Sequence, residues 1–449
     1  MNYNSTQITT INVLIVGDGG REHAIIKSIM KSPMLNKLYT TSKTHSELES
    51  IAFYEFNEID DFSNLTQFCK TEDITFVIIG SENYLSHGIV DHLKDEGINC
   101  FGPTKNAARL ETSKSFVKDI CSIYSIPTPC SDIFFNEKSA IEYINNLTKH
   151  PIVIKLDGLA SGKGVDICQT QDQAIESIQK FFKFINDPIK NTNKIINIII
   201  EEFIDGTEIS FFSMIDGKNV LPLTVAHDYK KIIDKNGKER NTGGMGAYSH
   251  SNIISDSCKH TILRDIIYPT INALTDLGIE FQGILYAGLI IGKNKQIYLL
   301  EYNVRFGDPE AQVILPRIKN DLLKLMIKTS QGKLNNNEVE LHDFSTATLV
   351  LASENYPNDD SYPEELVTID ENYFNQNKNK IQLLHAGTKI KNGNIYACKG
   401  RSLNIVIHNE SMDDAIKLLY ESVTKISWRG MQYNKNIGAN IINLSFIGV

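Results

Sequence analysis

Ile11–His23 (INVLIVGDGGREH) is the stretch from which the fold can be read. Ile11–Val16 is a β-branched apolar run that stops at Gly17-Asp18-Gly19-Gly20. From Arg21 to Met30 the pattern turns helical, with Ala24, Ile25 and Ile29 on one face. Phe76–Ile79 (FVII) repeats the arrangement: it ends at Gly80, and a helical stretch follows over His87–Glu96. Strands closed by glycine and followed by helices imply a parallel α/β domain with its ligand face at the carboxyl ends of the strands. That domain is placed at residues 1–112.

Beyond it the pattern changes to α+β. A polar helix start is expected at Ser113–Asp119 and a helix over Lys138–Leu147. Strands are expected at Pro151–Lys155, Val165–Cys168, Ile195–Glu202 and Glu208–Ile215, and a hairpin from Leu285–Ile291 with Gln296–Glu301. These define a second domain over 113–331. A third, smaller and strand-rich, is expected over 332–449, with strands at Ala347–Leu351 and Leu403–Ile407 and a helix at Met412–Thr424. The biased segment Asn372–Lys380 (NYFNQNKNK) reads as an exposed loop.

Composition narrows the function. With 41% hydrophobic and 22% charged residues the chain is of the soluble globular class. A net charge of -9 makes nucleic acid and anionic membranes poor partners. No apolar stretch approaches the ~20 residues that span a bilayer, and the polar start lacks the layout of a secretory signal. Seven scattered cysteines with no CxxC pair suit reduced thiols, so a cytoplasmic protein is expected, and a monomer is favoured.

Five segments carry side chains suited to chemistry. The Gly17–Gly20 turn is either a phosphate cradle at a helix N-terminus or a plain tight turn with Arg21 and His23 on the surface. Glu22 stands where the third glycine of a dinucleotide fingerprint would fall. Lys155, at the end of an apolar strand, precedes the glycine-rich Asp157–Gly164, which is either a loop closing over a polyphosphate or a mobile hairpin. In Glu201–Glu208 (EEFIDGTE), strand alternation sets Glu201 and Glu202 on opposite faces. One carboxylate there could accept from an adenine amino group, with Glu208 on ribose; the bland alternative is a solvent-facing strand end.

Glu301 and Asn303, two apart on a strand, point the same way and suit a hard cation such as Mg²⁺, with Arg305 continuing that face. Asn241–Tyr248 (NTGGMGAY), after Asp228, is either a loop offering backbone N–H groups to a small ligand, with Asp228 for an ammonium, or an ordinary long loop. His385 and the single Trp428 read as packing residues.

In order and spacing, Asn12–His23, Gly102–Lys114, Pro151–Gly164, Ile200–Glu208, Asn241–Ser249 and Glu301–Gln312 resemble the phosphoribosylamine–glycine ligase family of the ATP-grasp superfamily. The resemblance runs from about residue 11 to the end and includes His385–Thr388 (HAGT). It implies a central ATP-grasp domain and an enzyme of purine biosynthesis that joins glycine to 5-phosphoribosylamine through an acyl phosphate, using ATP and Mg²⁺ or Mn²⁺. On that resemblance, Lys114 and Lys155 are ATP phosphate ligands, and the lid carries Gly158, Ser161, Gly162 and Lys163. Glu201, Glu202, Phe203 and Ile204 form the adenine site, with Glu208 on ribose. Glu301 and Asn303 match the family's metal ligands, and Tyr286 stands where many ATP-grasp enzymes have a further carboxylate. Arg305, Lys155 and Asp228 carry the catalytic roles. Gly19, Gly20, Arg21, Glu22, Asp228, Gly243, Gly244, Gly307 and Asp308 line the substrate site.

The ATP and metal blocks follow the family pattern, whereas the amine-side blocks depart from it. Thr40–Thr44 replaces PGNxG, Gly80–Leu85 (GSENYL) replaces GPExPL, and His227–Lys231 (HDYKK) replaces QDHKR. Glu239–Gly244 (ERNTGG) stands for GPNTGG, and Asn434–Gly438 (NKNIG) for RxDIG. The competing readings are the same chemistry on another amine and a nucleotide-binding paralogue without turnover.

Overall fold

The computed structural model describes residues 10–160, 164–188, 191, 195–233, 237, 239–251, 253–335, 339–357, 362–439 and 441. The first domain is a five-stranded parallel sheet of β1 (Ile11–Val16), β2 (Leu35–Thr40), β3 (Ala52–Phe53), β4 (Ile74–Ile79) and β5 (Asn99–Phe101). Their order is β3-β2-β1-β4-β5. Val13–Val16 and Phe76–Ile79 are buried on both faces, as a sheet covered by helices on both sides requires. The order reverses between β1 and β4, so the loops leaving these two strands, Gly17–Gly19 and Gly80–Ser81, border the crevice where such sheets bind ligands. Two helices matter below: α1 (Gly20–Ile29), which opens directly after the β1 loop, and α2 (Lys43–Glu49).

A small antiparallel sheet follows, formed by β6 (Ser131–Phe134), β7 (Ile152–Leu156), β8 (Val165–Cys168) and β9 (Ile198–Glu202) in the order β6-β9-β7-β8. Alternation decides its two faces. Ile152, Ile154, Leu156, Ile198 and Ile200 pack on Ala174, Ile178, Phe181 and Phe182 of the helix Gln171–Ile185. Lys155 and Glu201 consequently project from the other face.

The largest sheet has eight strands. Its central-domain members are β10 (Gly206–Asp216), β11 (Val220–Asp228), β14 (Gly246–Ser249), β15 (Gln282–Gly292) and β16 (Ile297–Asn303). β17 (Ser345–Ala352), β20 (Ile381–His385) and β23 (Arg401–Asn409) continue it without a break, in the order β16-β15-β10-β11-β14-β17-β23-β20. The hairpin of β12 (Lys231–Ile233) and β13 (Glu239–Asn241) lies beside it. β18 (Glu365–Leu366), β21 (Thr388–Lys391) and β22 (Asn394–Ala397) form a three-stranded sheet, and β19 (Thr368–Ile369) pairs with β24 (Ile426–Ser427). The boundary expected near residue 331 therefore crosses one continuous sheet: β17 pairs with β14 through Ala247–Thr348 and its neighbours.

Three sequence expectations need correction. Asn372–Lys380 is not a plain loop: a helix spans Glu371–Gln376, because Tyr373 and Phe374 pack on the core and the Asp370 side chain caps it. In the glycine-dense loop, Gly246–Ser249 is a fully buried strand. Arg21 and His23 are buried rather than on the surface.

Candidate active site

Three strands bring the acidic residues together by register. On β10, β15 and β16, Ser210 pairs with Gly288 and Gly288 with Glu301, while Phe212 pairs with Tyr286 and Tyr286 with Asn303. Directly paired residues share a face of an antiparallel sheet, so Glu301 and Asn303 stand side by side on the face that also carries Ser210 and Tyr286. Gly288 leaves the space above it to Glu301, whose Cγ would lie 3.2 Å from any Cβ there. Tyr286 donates to Glu310 Oε1 (2.8 Å) and accepts from Ser210 Oγ (2.9 Å). Burial raises its phenol pKa well above the ordinary value, so it remains a neutral hydroxyl.

Cations surround this face. Burial alone would raise the Glu301 pKa, but Lys230, Lys155, Lys114 and Arg305 outweigh it and hold the carboxylate ionised. Lys155 reaches across from the small sheet: its Nζ lies 2.7 Å from Glu201 Oε2 and donates to the Leu300 carbonyl at 3.1 Å. The two sheets thus meet over a cleft with Lys155 and Glu201 on one side and Glu301 and Asn303 on the other. Glu201 is also paired with Lys118 (2.9 Å), a residue the sequence reading did not single out. Glu202 points away, accepting from the Cys130 N–H at 2.9 Å, as strand alternation required. Phe203 and Ile204 lie half-buried just beyond the end of β9.

Lys114 opens the helix Lys114–Ile123, whose first N–H groups are taken up by Asp157: Oδ1 accepts from the backbone N–H of Lys114 (2.5 Å) and of Ser115 (3.2 Å). Lys114 Nζ donates to the Gly158 carbonyl at 3.0 Å, which ties the base of the glycine-rich loop to that helix. Ser161, Gly162 and Lys163 lie outside the described residues.

Asp228, at the end of β11, has a side chain only 5% exposed and lies 3.8 Å from Lys230, which also reaches Glu208 at 3.3 Å. Burial, together with Glu310, Glu208 and Glu301, pushes the Asp228 carboxyl up to about 7 against the pull of Lys230.

Arg305 does not continue the strand face, since β16 ends at Asn303. The Val304 N–H leaves the ladder for Glu111 Oε2 (2.8 Å), and the bend carries the guanidinium between Glu111 Oε1 (2.8 Å) and Glu82 Oε2 (3.2 Å). Burial works against its charge, but the two carboxylates more than compensate and keep it ionised. Burial likewise disfavours ionised Glu82, yet Arg305 and Arg21 hold it at about 2.

On the first-domain side, Arg21 Nε meets Glu22 Oε1 at 2.8 Å and Arg21 Nη1 donates to the Phe306 carbonyl at 3.1 Å. Glu22 turns back onto the Gly19 N–H (2.8 Å) and fits only because Gly17 and Gly80 lack side chains. Gly20 lies against the side-chain amides of Asn404 and Gln312, and Gly307 against the Glu310 carboxylate. Asp308 accepts from Gln312 Nε2 (2.7 Å) and lies 3.6 Å from Arg401. The N–H groups of Gly243 and Gly244 already have internal acceptors, Tyr356 Oη (3.0 Å) and Thr242 Oγ1 (3.1 Å). Glu82, Glu111, Lys118 and Arg401 escaped the sequence reading because each meets its partner across a large gap in the chain.

The donor set tests the expected metal. One carboxylate and one amide oxygen side by side, in a pocket rich in lysine and arginine, offer hard oxygen ligands and counter-charges for phosphate, which fits Mg²⁺ or Mn²⁺ bound largely through a nucleotide. Among the described residues there is no cluster of three or more His, Cys, Asp and Glu that would hold a metal unaided.

Family models for phosphoribosylglycinamide synthetase match the chain in three consecutive pieces: the N domain over 11–111, the ATP-grasp (A) domain over 112–311 and the C domain over 346–440. The chain belongs to the phosphoribosylglycinamide synthetase family. The phosphoribosylamine–glycine ligase of Mesorhizobium japonicum is 38% identical over 431 residues, 95% of this chain and 98% of that protein. The ligase of Neisseria meningitidis serogroup B is 36% identical over 440 residues, 96% of this chain and all of that protein. The crystal structure of phosphoribosylamine–glycine ligase from Thermotoga maritima matches at a TM-score of 0.76 and 26% identity, covering 94% of this chain and 99% of that one. A biotin carboxylase domain from Hydrogenobacter thermophilus, solved with MgADP, matches at a TM-score of 0.71 and 13% identity over 97% of this chain and 96% of that one, which shows a shared fold. Membership in the phosphoribosylglycinamide synthetase family makes the chain an ATP-dependent carbon–nitrogen ligase of purine biosynthesis. Among the described residues no helix is long and apolar enough to cross a membrane.

Proposed function

We propose that the chain joins glycine to 5-phosphoribosylamine, forming glycinamide ribonucleotide, ADP and phosphate. The observation that carries this reading is the pairing of Glu301 with Asn303 on the strand that Lys155 reaches from the small sheet, with Arg305 among the cations that hold Glu301 ionised. ATP lies in the cleft between the two sheets, its adenine beside Glu201, Phe203 and Ile204, its ribose at Glu208, and its phosphates at Lys114, Lys155 and the Gly158–Lys163 lid. Glu301 and Asn303 hold Mg²⁺ or Mn²⁺, which neutralises phosphate charge when bound.

Asp228 takes the ammonium of glycine, with Gly307 and Asp308 beside it. A glycine carboxylate oxygen attacks the γ-phosphorus as the bond to ADP breaks, and Arg305 stabilises the resulting glycyl phosphate. The amine nitrogen of the acceptor, held near Gly19–Glu22, Gly243 and Gly244, then attacks the acyl carbon. The C–O bond to phosphate breaks and the nitrogen loses a proton, which leaves the amide. No side-chain nucleophile takes part; the protein contributes position and fixed charge. Free cysteines throughout support a cytoplasmic setting.

The test is phosphate release from ATP with glycine and freshly generated phosphoribosylamine, each omitted in turn, with the amide followed by mass. Release that requires both is the expected result. Glu301→Ala or Arg305→Ala should abolish it, and unchanged turnover in either would overturn the site assignment.

A further inference from the structure

Three buried histidines meet where the first domain touches the far edge of the eight-stranded sheet. His23 on α1, His45 on α2 and His385 at the end of β20 are 1%, 0% and 5% exposed. The His23 and His45 rings lie 4.5 Å apart, and those of His23 and His385 5.9 Å apart. Among the described strands β20 pairs only with β23 and is an edge strand, so its outer N–H and C=O groups need partners. At His385 both are supplied by imidazoles: the backbone N–H donates to His23 Nδ1 (2.9 Å), and the carbonyl accepts from His45 Nε2 (2.8 Å).

The partners fix both tautomers. His23 accepts at Nδ1, so its proton is on Nε2, where it donates to Glu49 (2.9 Å). His45 donates from Nε2, and its buried Nδ1 has no hydrogen-bond partner among the described residues, which suits an unprotonated nitrogen. A proton on His23 Nδ1 would set two donors against each other.

What this contact holds in place leads back to the active site. Immediately after His385 the chain turns at Ala386-Gly387, and the turn is bonded to the start of β23 and the bend before it: Gly387 N–H to the Arg401 carbonyl (3.0 Å), and Lys399 N–H to the Gly387 carbonyl (3.0 Å). Gly387 has no room for a side chain. From the bend before β23 Lys399 reaches Asp18 at 2.7 Å, and Arg401, at the start of β23, reaches the Gly243 carbonyl (2.9 Å) and Asp308. On the opposite wall, α1 begins at Gly20, and His23 follows Arg21 by two residues.

We propose that His23 and His45 are positioning residues of the acceptor site, two neutral imidazoles that grip both backbone groups of His385. The grip sets the spacing between the Gly17–Gly19 loop with the first turn of α1 and the segment Lys399–Arg401 that leads into β23. This rests on the reading that the acceptor amine binds beside Gly19–Glu22.

The amide isosteres separate positioning from mere packing. Asn places a polar atom near imidazole Nδ1, and Gln places one near Nε2. His23→Asn and His45→Gln therefore keep the atom that grips His385, whereas His23→Gln and His45→Asn lose it. The losing pair should raise KM for phosphoribosylamine about tenfold, with KM for ATP and glycine within about twofold and kcat within about threefold. The keeping pair should stay within about threefold of the parent on every constant. If all four variants raise the three KM values alike, or if none moves the amine KM, the proposal is overturned.

¹⁵N NMR of the histidine rings in the unsubstituted protein gives an arm independent of the substrate. Both His23 and His45 should be neutral and protonated on Nε2 at pH 6; a charged ring or an Nδ1–H form overturns the grip. Were the unsubstituted protein inactive with phosphoribosylamine, the acceptor reading would fail while the NMR result still decided the grip.

Discussion

At the scale of single residues, charge placement decides the site. Glu111 holds Arg305 and the Val304 N–H with its two carboxylate oxygens, so it aims the guanidinium. Glu111→Gln retains an acceptor for Val304 but turns an N–H donor toward Arg305. The expected outcome in steady-state kinetics is a fall in kcat of roughly 10–100-fold with KM for ATP nearly unchanged. Gly80 offers a stability test: a Cβ there would lie 2.0 Å from Glu22 Oε1, a carboxylate locked by Arg21 and the Gly19 N–H. Gly80→Ala should cost about 2 kcal/mol, read from the urea midpoint. Arg305 was expected on the strand face that it leaves, but Glu301 and Asn303 were legible in sequence as a pair because they lie two apart on one strand. Glu82 and Glu111 were not, because they meet Arg305 from 223 and 194 residues away.

Among elements, ends carry the function. The helix Lys114–Ile123 begins on Asp157, which belongs to the glycine-rich loop, so helix start and loop base are one unit. Asp157→Ala should lower stability by about 1 kcal/mol in urea denaturation and raise KM for ATP. The edge of β20, gripped by two imidazoles, makes stability pH-dependent. Burial lowers the His23 pKa and pushes His45 and His385 down to about 3. The unfolded chain takes up protons near 6.5 and the folded one does not, so this stability is present above 6.5 and is lost as the pH falls below it. Asp228, raised to about 7, and Glu22 and Glu111, raised by burial, act in the opposite direction, but burial also lowers His227 and His408, so five imidazoles stand against three carboxyls. The urea midpoint should therefore drop between pH 7 and pH 5, and a midpoint that rises on acidification would contradict the grip. The strands and helices that the sequence placed were read from alternation and helical spacing, but many others, β11 and the helix Gln171–Ile185 among them, were not. The helix at Glu371–Gln376 was not, because its polar composition hides the packing of Tyr373 and Phe374.

For the whole molecule, the eight-stranded sheet matters most, since it joins the ATP-grasp strands to the C-terminal ones through β14 and β17. A fragment ending at Gly332 would leave β14 unpaired on one side and expose Ala247 and its buried neighbours. Such a fragment should show no cooperative urea transition and should aggregate, whereas the full chain unfolds cooperatively. By itself the sequence determined the parallel first domain, the α+β centre and the blocks around Lys155 and Glu301. Each of these is local: a strand's alternation, a glycine turn or two ligands on one strand are set by residues a few positions apart. Only the tertiary structure decided that Lys118 and Lys155 share Glu201, that Arg305 leaves its strand to lie between two distant carboxylates, and that imidazoles join the first domain to the last sheet edge. Such pairings depend on burial, which makes an unpartnered charge or backbone group costly and so selects partners by proximity in space rather than along the chain.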